Sequence, residues 1–117
     1  MTASVCDVIF HDLQHSPALD QLIRERATWL QQFAPAAFAV RALIDAPHRH
    51  SHEHPVRVQL RLTIPGDDPI MVERERVGDV YALIRDTFDV ARRRLQDAVR
   101  EQRGFVKTHG NASRRVV

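Results

Sequence analysis

The fold of this chain is decided by the stretch GDVYALIRDTFDVARRRLQDAVREQRG, residues 78–104. Asp79 is a suitable N-cap, because its carboxylate can accept hydrogen bonds from the free N–H groups of a first helical turn, and Gly104 is a suitable stop. Between them, apolar residues recur at intervals of three and four, which predicts one long amphipathic helix. The predicted apolar face consists of Val80, Leu83, Ile84, Thr87, Phe88, Ala91, Leu95 and Ala98.

The opposite side of this predicted helix is basic, and charge is distributed unevenly along the whole chain. Residues 1–89 hold 9 Lys and Arg against 13 Asp and Glu, whereas residues 90–117 hold 8 against 2, so the two parts carry −4 and +6. A basic end on a nearly neutral domain is typical of proteins that bind a polyanion such as RNA. A solvated charged face on a core helix is the alternative interpretation. The basic side is predicted to contain Arg85, Arg92, Arg93, Gln96, Arg100 and Arg103.

Length and composition indicate one globular domain. A chain of 117 residues that is 44% hydrophobic and 27% charged can bury a core. We expect a domain over residues 1–104 and a basic, loosely ordered tail over residues 105–117. Cys6 is the single cysteine and cannot form an intramolecular disulfide, which favours a reducing compartment. No apolar run approaches the ~20 residues of a membrane span and the chain does not open with a secretory signal, so we expect a cytoplasmic protein.

The rest of the chain shows strand-like and helix-like patterns in turn. Apolar and polar residues alternate over residues 56–64, which predicts a strand with one buried face. Ser16 and Pro17 suit the N-cap and the first position of a helix, and residues 65–68, PGDD, suit a turn. The predicted elements are strand Val5–His11, helix 17–33, strands Ala39–Asp45, Val56–Ile64 and Ile70–Glu75, and the helix that ends at Gly104.

The order βαβββα predicts a two-layer α+β domain. A strand–helix–strand unit favours a right-handed crossover with parallel strands, and the last two strands form an antiparallel hairpin. Because the third strand has one polar face, we expect both helices to pack on its other face. The expected architecture is a four-stranded mixed sheet with both helices on one face.

Several motifs, taken in order, resemble a known family. They are SPAL at residues 16–19, IPG at 64–66, DVYALIRD at 79–86 and ARRRL at 91–95. Over residues 5–103 the chain resembles the ribosome hibernation promoting factor and ribosome-associated inhibitor family (protein Y, sigma-modulation protein). The fold of that family is similar to a double-stranded RNA-binding domain with an added strand. Because the chain ends at Val117, it looks like a short member, without the C-terminal cold-shock domain or dimerising tail of other members.

The resemblance implies a protein that binds the small ribosomal subunit and its rRNA, in the channel for mRNA and tRNA, and inhibits translation by occlusion. It implies no catalysis, cofactor, small-molecule substrate or membrane, and a monomer away from the ribosome. The sequence contains no glycine-rich phosphate loop, which agrees with a non-catalytic role. Arg26 and Arg93 match basic positions of the family. The residues expected to face RNA are Arg26, Tyr81, Arg85, Arg92, Arg93, Arg100, Arg103 and Lys107.

Some of these positions also have a purely structural interpretation. Tyr81 is suited to contact RNA or to close the edge of the core. Trp29 is suited to stack on a base, but its position beside Leu30 favours packing at the edge of the first helix. Helical spacing also permits two surface pairs, Asp89 with Arg93 and Arg92 with Gln96.

A histidine-rich loop is the main alternative site. Residues 47–55, PHRHSHEHP, place imidazoles two residues apart, so that two or three of them could meet a zinc or nickel ion. A flexible loop does not orient metal ligands, so we expect a solvated or RNA-facing loop and no metal site. The alternatives to ribosome binding are a metal-responsive or protein-interaction module that uses this loop, and a general structured-RNA-binding domain. The candidate ligands are His48, His50, His52 and His54.

Overall fold

Six elements of secondary structure make up the part of the chain that the computed structural model describes, residues 5–34, 38–46 and 55–107. Their order is βαβββα, as predicted. No helix within these ranges is both long enough and apolar enough to cross a membrane. The elements are β1 (Val5–His11), α1 (Pro17–Gln31), β2 (Ala39–Asp45), β3 (Val56–Thr63), β4 (Ile70–Arg76) and α2 (Val80–Lys107).

The four strands form one mixed sheet in the order β1-β2-β3-β4. β1 and β2 are parallel, with Val8 opposite Ala42, and α1 makes the connection between them. β3 is antiparallel to both β2 and β4, so that Leu60 lies opposite Ala42 on one side and Val72 on the other. This arrangement confirms the predicted α+β architecture.

The connection between β3 and β4 is a tight turn set by Pro65 and Gly66. The N–H of Asp67 donates to the carbonyl of Ile64 at 3.1 Å, and Gly66 has a φ of +80°. These features define a type II turn, in which proline supplies the fixed φ of the second residue and glycine accepts the positive φ of the third. The turn predicted at residues 65–68 is therefore confirmed.

α1 begins where the sequence predicts and ends slightly earlier. The Ser16 hydroxyl accepts a hydrogen bond from the N–H of Leu19 at 3.3 Å, and Pro17 occupies the first turn. The helix ends at Gln31, two residues before the predicted end. The N–H groups of residues 32–34 each bond to a carbonyl three residues back, and this tighter winding closes the helix.

α2 is longer than the sequence predicts. Asp79 caps it as expected, because its Oδ1 accepts a hydrogen bond from the N–H of Ala82 at 3.1 Å. The predicted stop at Gly104 is wrong: the helix continues to Lys107, through residues assigned to a loosely ordered tail. Glycine inside a helix costs about 1 kcal/mol relative to alanine but does not block it, and no proline follows to end it. The rest of the predicted tail, residues 108–117, lies outside the described ranges.

Both helices pack on the same face of the sheet and share one hydrophobic core. The predicted apolar face of α2 is confirmed, with Ile84, Phe88 and Leu95 excluded from solvent. Thr87 is also fully buried, and its hydroxyl donates to the carbonyl of Leu83 at 2.6 Å, so this polar group is satisfied inside the core. The sheet residues buried beneath the helices are Val40, Ala42, Ile44, Val56, Val58, Leu60, Leu62, Ile70 and Val72.

Each helix also supplies an arginine that binds the backbone of an edge strand. Arg24 of α1 donates from Nη1 to the carbonyl of Cys6 in β1 at 2.8 Å. Arg94 of α2 donates from Nη1 to the carbonyl of Met71 in β4 at 2.7 Å. Because an edge strand with free backbone groups is a template for another strand, these two arginines obstruct pairing at both edges.

Replacing Phe88 with alanine tests how far the core depends on α2. Phe88→Ala leaves a cavity among fully buried side chains, so the free energy of unfolding in urea should fall by about 3–5 kcal/mol. Tyr81→Ala is the matched control, because Tyr81 is an aromatic residue of the same helix with 42% of its surface exposed. That change should alter stability by less than about 0.5 kcal/mol. Equal losses in the two variants would contradict the assigned packing.

Candidate nucleic-acid interface

An exposed row of arginines lies on the side of α2 that faces away from the sheet. Arg85, Arg93 and Arg100 are exposed and follow each other at intervals of eight and seven residues, so they share one side of the helix. Within the described residues, Arg85 and Arg93 have no carboxylate partner. Arg100 lies 3.2 Å from Asp97, but both side chains are mostly exposed, so the pair is weak. We call these three residues the arginine ridge.

Two further arginines pack on one indole ring where α1 meets α2. The Arg26 guanidinium carbon lies 3.9 Å from the centroid of the Trp29 ring, and that of Arg92 lies 6.0 Å from it, so both contacts are of the cation–π type. Trp29 also packs edge-to-face against Phe33, with centroids 5.2 Å apart. This confirms that Trp29 packs at the helix edge.

Arg26 is held in place by its neighbours. Its Nη2 lies 3.7 Å from Asp89 Oδ1, and the side chain is 26% exposed. Its Nε is buried and has no hydrogen-bond partner within the described part of the chain. The side chain therefore anchors α1 to α2 and presents only its terminal nitrogens to a ligand.

The structure corrects two details of the predicted interface. The sequence prediction places Arg92 on the solvent side, but the residue is half-buried toward α1, with Nη1 donating to Gln96 Oε1 at 3.0 Å. The Arg92–Gln96 pair is therefore confirmed. The prediction of an Asp89–Arg93 pair is wrong, since Asp89 faces Arg26 instead. As a result Arg93 keeps its charge available to a ligand.

Sequence reasoning missed Arg74 of β4. Strand alternation places it on the same face as Ile70 and Val72, but the core ends at Val72 and β4 continues into solvent. The alternation of β4 could have identified Arg74, because it places this residue on the helix side of the sheet. The positive surface therefore extends from α2 onto the last strand. Arg74 lines an open cavity of about 360 Å³ between β4 and α2, together with Asp86, Asp89, Val90, Arg92 and Arg93.

The remaining predicted contacts lie at the two ends of α2 and in the loop after β2. Tyr81 is exposed in the first turn and is not packed against the core, so it stays a candidate for contact with RNA. Arg103 and Lys107 lie in the last turns of α2, where only the backbone is described. Outside the described residues lie the histidine candidates His48, His50, His52 and His54.

Cys6 is a partly buried residue of β1. Burial raises the pKa of its thiol, which keeps the group protonated at neutral pH. Because the thiolate is the nucleophilic form of cysteine, this environment does not activate it. The residue is a structural part of the strand.

A second charged cluster joins the ends of β1, β2 and β3. Asp45 is almost fully buried, and its two oxygens lie 3.0 Å from His11 Nδ1 and 2.6 Å from Arg57 Nη2. The hydrogen bond from His11, followed by that from Arg57, lowers the pKa of the Asp45 carboxyl. The same bond to Asp45, with the nearby charge of Asp12, raises the pKa of His11. The three strand ends are therefore tied together by charge-assisted hydrogen bonds.

This cluster also has the composition of a metal site, but its charges argue otherwise. His11, Asp12 and Asp45 place one ligand atom each within 4.8 Å of one another. The Arg57 guanidinium already neutralises Asp45 from the other side, and a metal cation there would be repelled by it. We therefore interpret the cluster as a structural network.

The Asp45 network should give the stability of the domain a defined pH dependence. A carboxyl with a lowered pKa stabilises the fold above its ordinary value of 3.8, and that stabilisation is lost as pH falls through its pKa in the folded state. A histidine with a raised pKa stabilises the fold below 6.5 and loses its contribution as pH rises through its folded-state pKa. Asp45→Asn should therefore reduce the melting temperature most between pH 3.8 and 6.5.

Thermal unfolding from about pH 3 to about pH 8 measures this dependence. Asp7→Asn is the matched control, because Asp7 is an exposed carboxylate of β1 with no ion pair to another described residue. Its profile should parallel that of the wild type. A parallel profile for Asp45→Asn would contradict the assigned network.

One family model and two solved structures match this chain. The family model for the Sigma 54 modulation protein / S30EA ribosomal protein matches residues 6–103. The crystal structure of the Thermus thermophilus protein Y N-terminal domain is similar with a TM-score of 0.68 and 16% identity, covering 80% of this chain and 97% of that chain. A ribosomal subunit interface protein from Coxiella burnetii gives a TM-score of 0.50 and 17% identity, covering 85% and 97%.

No curated protein matches the chain. At such low identities the two structures support the fold alone. The family model, in contrast, covers most of the chain and every described element from β1 through most of α2. The chain therefore belongs to the Sigma 54 modulation protein / S30EA ribosomal protein family.

Proposed function

We propose that this protein binds the small ribosomal subunit in the channel that mRNA and the anticodon ends of tRNA occupy, and that it inhibits translation by occluding that channel. Membership of the family over residues 6–103 is the observation that carries the proposal. The name of one similar structure, a ribosomal subunit interface protein, points to the same partner. Such a protein acts by occupancy, without catalysis, in the cytoplasm.

The arginine ridge supplies the chemistry for contact with rRNA. A guanidinium donates in a planar fork that matches the oxygens of a phosphate group. The 15 residue-to-residue steps from Arg85 to Arg100 span about 22 Å along the helix axis, which is long enough to reach several phosphates of a folded RNA strand. Structured RNA is recognised mainly by shape and backbone contacts, and a rigid row of arginines suits that mode.

The surroundings of the ridge hold it in a fixed orientation. Phe88 and Leu95 bury the opposite side of α2 in the core, so that the helix cannot rotate without exposing them. Arg26 and Trp29 fasten α1 beside it. A fixed helix loses little backbone entropy on binding, which favours affinity.

Removing two charges from the ridge should weaken binding to the small subunit. Arg85→Gln combined with Arg93→Gln keeps the length of both side chains, and glutamine is a good helix former, so the fold should be unaffected. The loss of two phosphate contacts should reduce the slope of log K against log salt concentration by roughly 1.5. Co-sedimentation with purified small subunits from about 50 to about 200 mM salt measures this slope.

The matched control removes two charges from the other side of the domain. Arg41→Gln combined with Arg61→Gln changes two exposed arginines of the sheet and should retain the binding of the wild type. Equal losses in the two double variants would show that only net charge matters and would contradict the ridge. Equal affinity of the wild type for an unrelated structured RNA would favour a general RNA-binding domain. No binding by a folded wild type would overturn the proposal.

Occlusion makes a separate prediction about competition. Small subunits that already hold mRNA and tRNA should bind the protein less tightly than empty subunits, because two ligands that share one channel exclude each other. A filtration assay with labelled protein and increasing mRNA and tRNA measures this effect. Simultaneous saturation by both ligands would place the binding site outside the channel.

A further inference from the structure

The open face of the sheet, which is the face opposite the helices, carries two arginines without a partner. Strand register places Arg41 of β2 directly opposite Arg61 of β3. Both are exposed, and within the described residues neither has a hydrogen bond or an ion pair. Like charges on directly opposed residues destabilise a sheet. We call Arg41 and Arg61 the arginine pair.

Several other charged residues on the open face have a partner on that face. Asp45, which follows Arg41 by four residues in β2, binds His11 and Arg57. Glu73 of β4 lies 3.4 Å from Gln59 and 3.8 Å from Arg57. The arginine pair has no such contact, although the strand register places Asp7 of β1 opposite Arg41 on the same face. Two opposed guanidinium groups that make no ion pair are a local cost of the kind that binding sites carry.

The surroundings of the pair combine positive charge with apolar surface. Two shallow depressions of about 240 and 290 Å³ meet at the pair, and both are lined by Arg41 and Arg61. The larger one is also lined by Ile9, Leu43 and Met71. Ile9 and Met71 are 42% and 43% exposed, which is unusual for large apolar residues. A ligand that fits here carries a negative group beside aliphatic groups.

We propose that this part of the open face is a docking surface for a short acidic segment of a partner protein. A carboxylate of the segment lies between Arg41 and Arg61, and its aliphatic neighbours cover Ile9, Leu43 and Met71. Charge complementarity carries the assignment, since two guanidinium groups side by side match one carboxylate.

RNA fits this surface less well than a peptide does. The residues of the two depressions include no aromatic side chain on which a base could stack. Asp7 lies opposite Arg41 and lines the smaller depression, and Glu73 lies beside Met71 on β4, so both carboxylates repel a continuous row of phosphates. A peptide with single carboxylates between aliphatic residues carries fewer negative charges across the patch and meets less of that repulsion.

The area of the open face also argues against a stable dimer of this chain. Four strands spaced about 4.8 Å apart and seven residues long give a face of roughly 20 by 24 Å. Two such faces together would bury about 1,000 Å², below the 1,200–2,000 Å² or so of stable protein–protein interfaces. A single extended segment needs only part of the face.

This inference goes beyond the proposed ribosome binding and does not depend on it. The arginine ridge and the arginine pair lie on opposite sides of the domain, with the sheet and the core between them. Both surfaces can therefore be occupied at the same time.

Nuclear magnetic resonance of the full chain with a model peptide tests the proposal. The probe is a capped peptide in which leucine alternates with aspartate, and its control has asparagine in place of every aspartate. The aspartate peptide should cause saturable shifts of backbone amides around Arg41 and Arg61. Arg41→Gln combined with Arg61→Gln should weaken this binding by about tenfold, because two charge-assisted contacts are lost.

Three controls make the outcome decisive. Arg85→Gln combined with Arg93→Gln removes the same charge from the arginine ridge and should bind the peptide as the wild type does. The melting temperature of the Arg41 and Arg61 double variant should not fall, because two opposed like charges are removed. A short single-stranded oligonucleotide should not shift the open face.

Several results would overturn the proposal. They are the absence of saturable shifts, equal binding of the asparagine peptide, and equal weakening by the ridge variant. Shifts of the open face by the oligonucleotide but not by the peptide would assign the surface to nucleic acid. Binding to the small subunit is tested separately from peptide binding. Its loss is expected in the variant Arg85→Gln with Arg93→Gln and not in the variant Arg41→Gln with Arg61→Gln.

Discussion

Burial of the apolar side of α2 against β3 and β4 is the interaction on which the rest of the structure depends. Ile84, Phe88 and Leu95 are removed from water completely, and each such side chain contributes about 1.5–3 kcal/mol of hydrophobic stabilisation. Once that side is fixed, the helical period determines which residues face outward. The arginine ridge is exposed because the residues on the other side of the helix are buried, and the backbone that carries it is held by the core.

The same constraint divides the charged residues between two separate surfaces. On the helix side, Asp89 and Asp97 partly compensate the arginines, but Arg85 and Arg93 have no carboxylate partner among the described residues. On the open face, a network centred on Asp45 satisfies one end of the sheet and leaves the arginine pair unpaired at the other. The domain therefore presents two charged surfaces of different character, one that we propose for a phosphate backbone and one that we propose for an acidic peptide.

Local patterns were sufficient to predict most of the fold. Alternation in β3, the cap formed by Ser16 and the turn at Pro65 each involve residues near one another in the sequence, and all three are confirmed. Gly104 misled the prediction because a glycine permits a helix end without requiring one. The contacts of the interface and of the Asp45 network could not be predicted, since they join residues distant in the sequence: Arg92 of α2 turns toward Trp29 of α1, and Arg57 of β3 meets Asp45 of the adjacent strand β2. No spacing rule connects such positions before the fold is known.

The two arginines that bind the edge strands limit the ways in which this protein can recognise a partner chain. With the carbonyls of Cys6 and Met71 engaged by Arg24 and Arg94, an incoming chain cannot easily extend the sheet through backbone hydrogen bonds. Recognition must then rely on side chains. Backbone pairing is nearly independent of sequence, whereas side-chain contacts are gained and lost one substitution at a time. The affinity and selectivity of such a domain can thus be tuned in small steps during evolution while its fold stays the same.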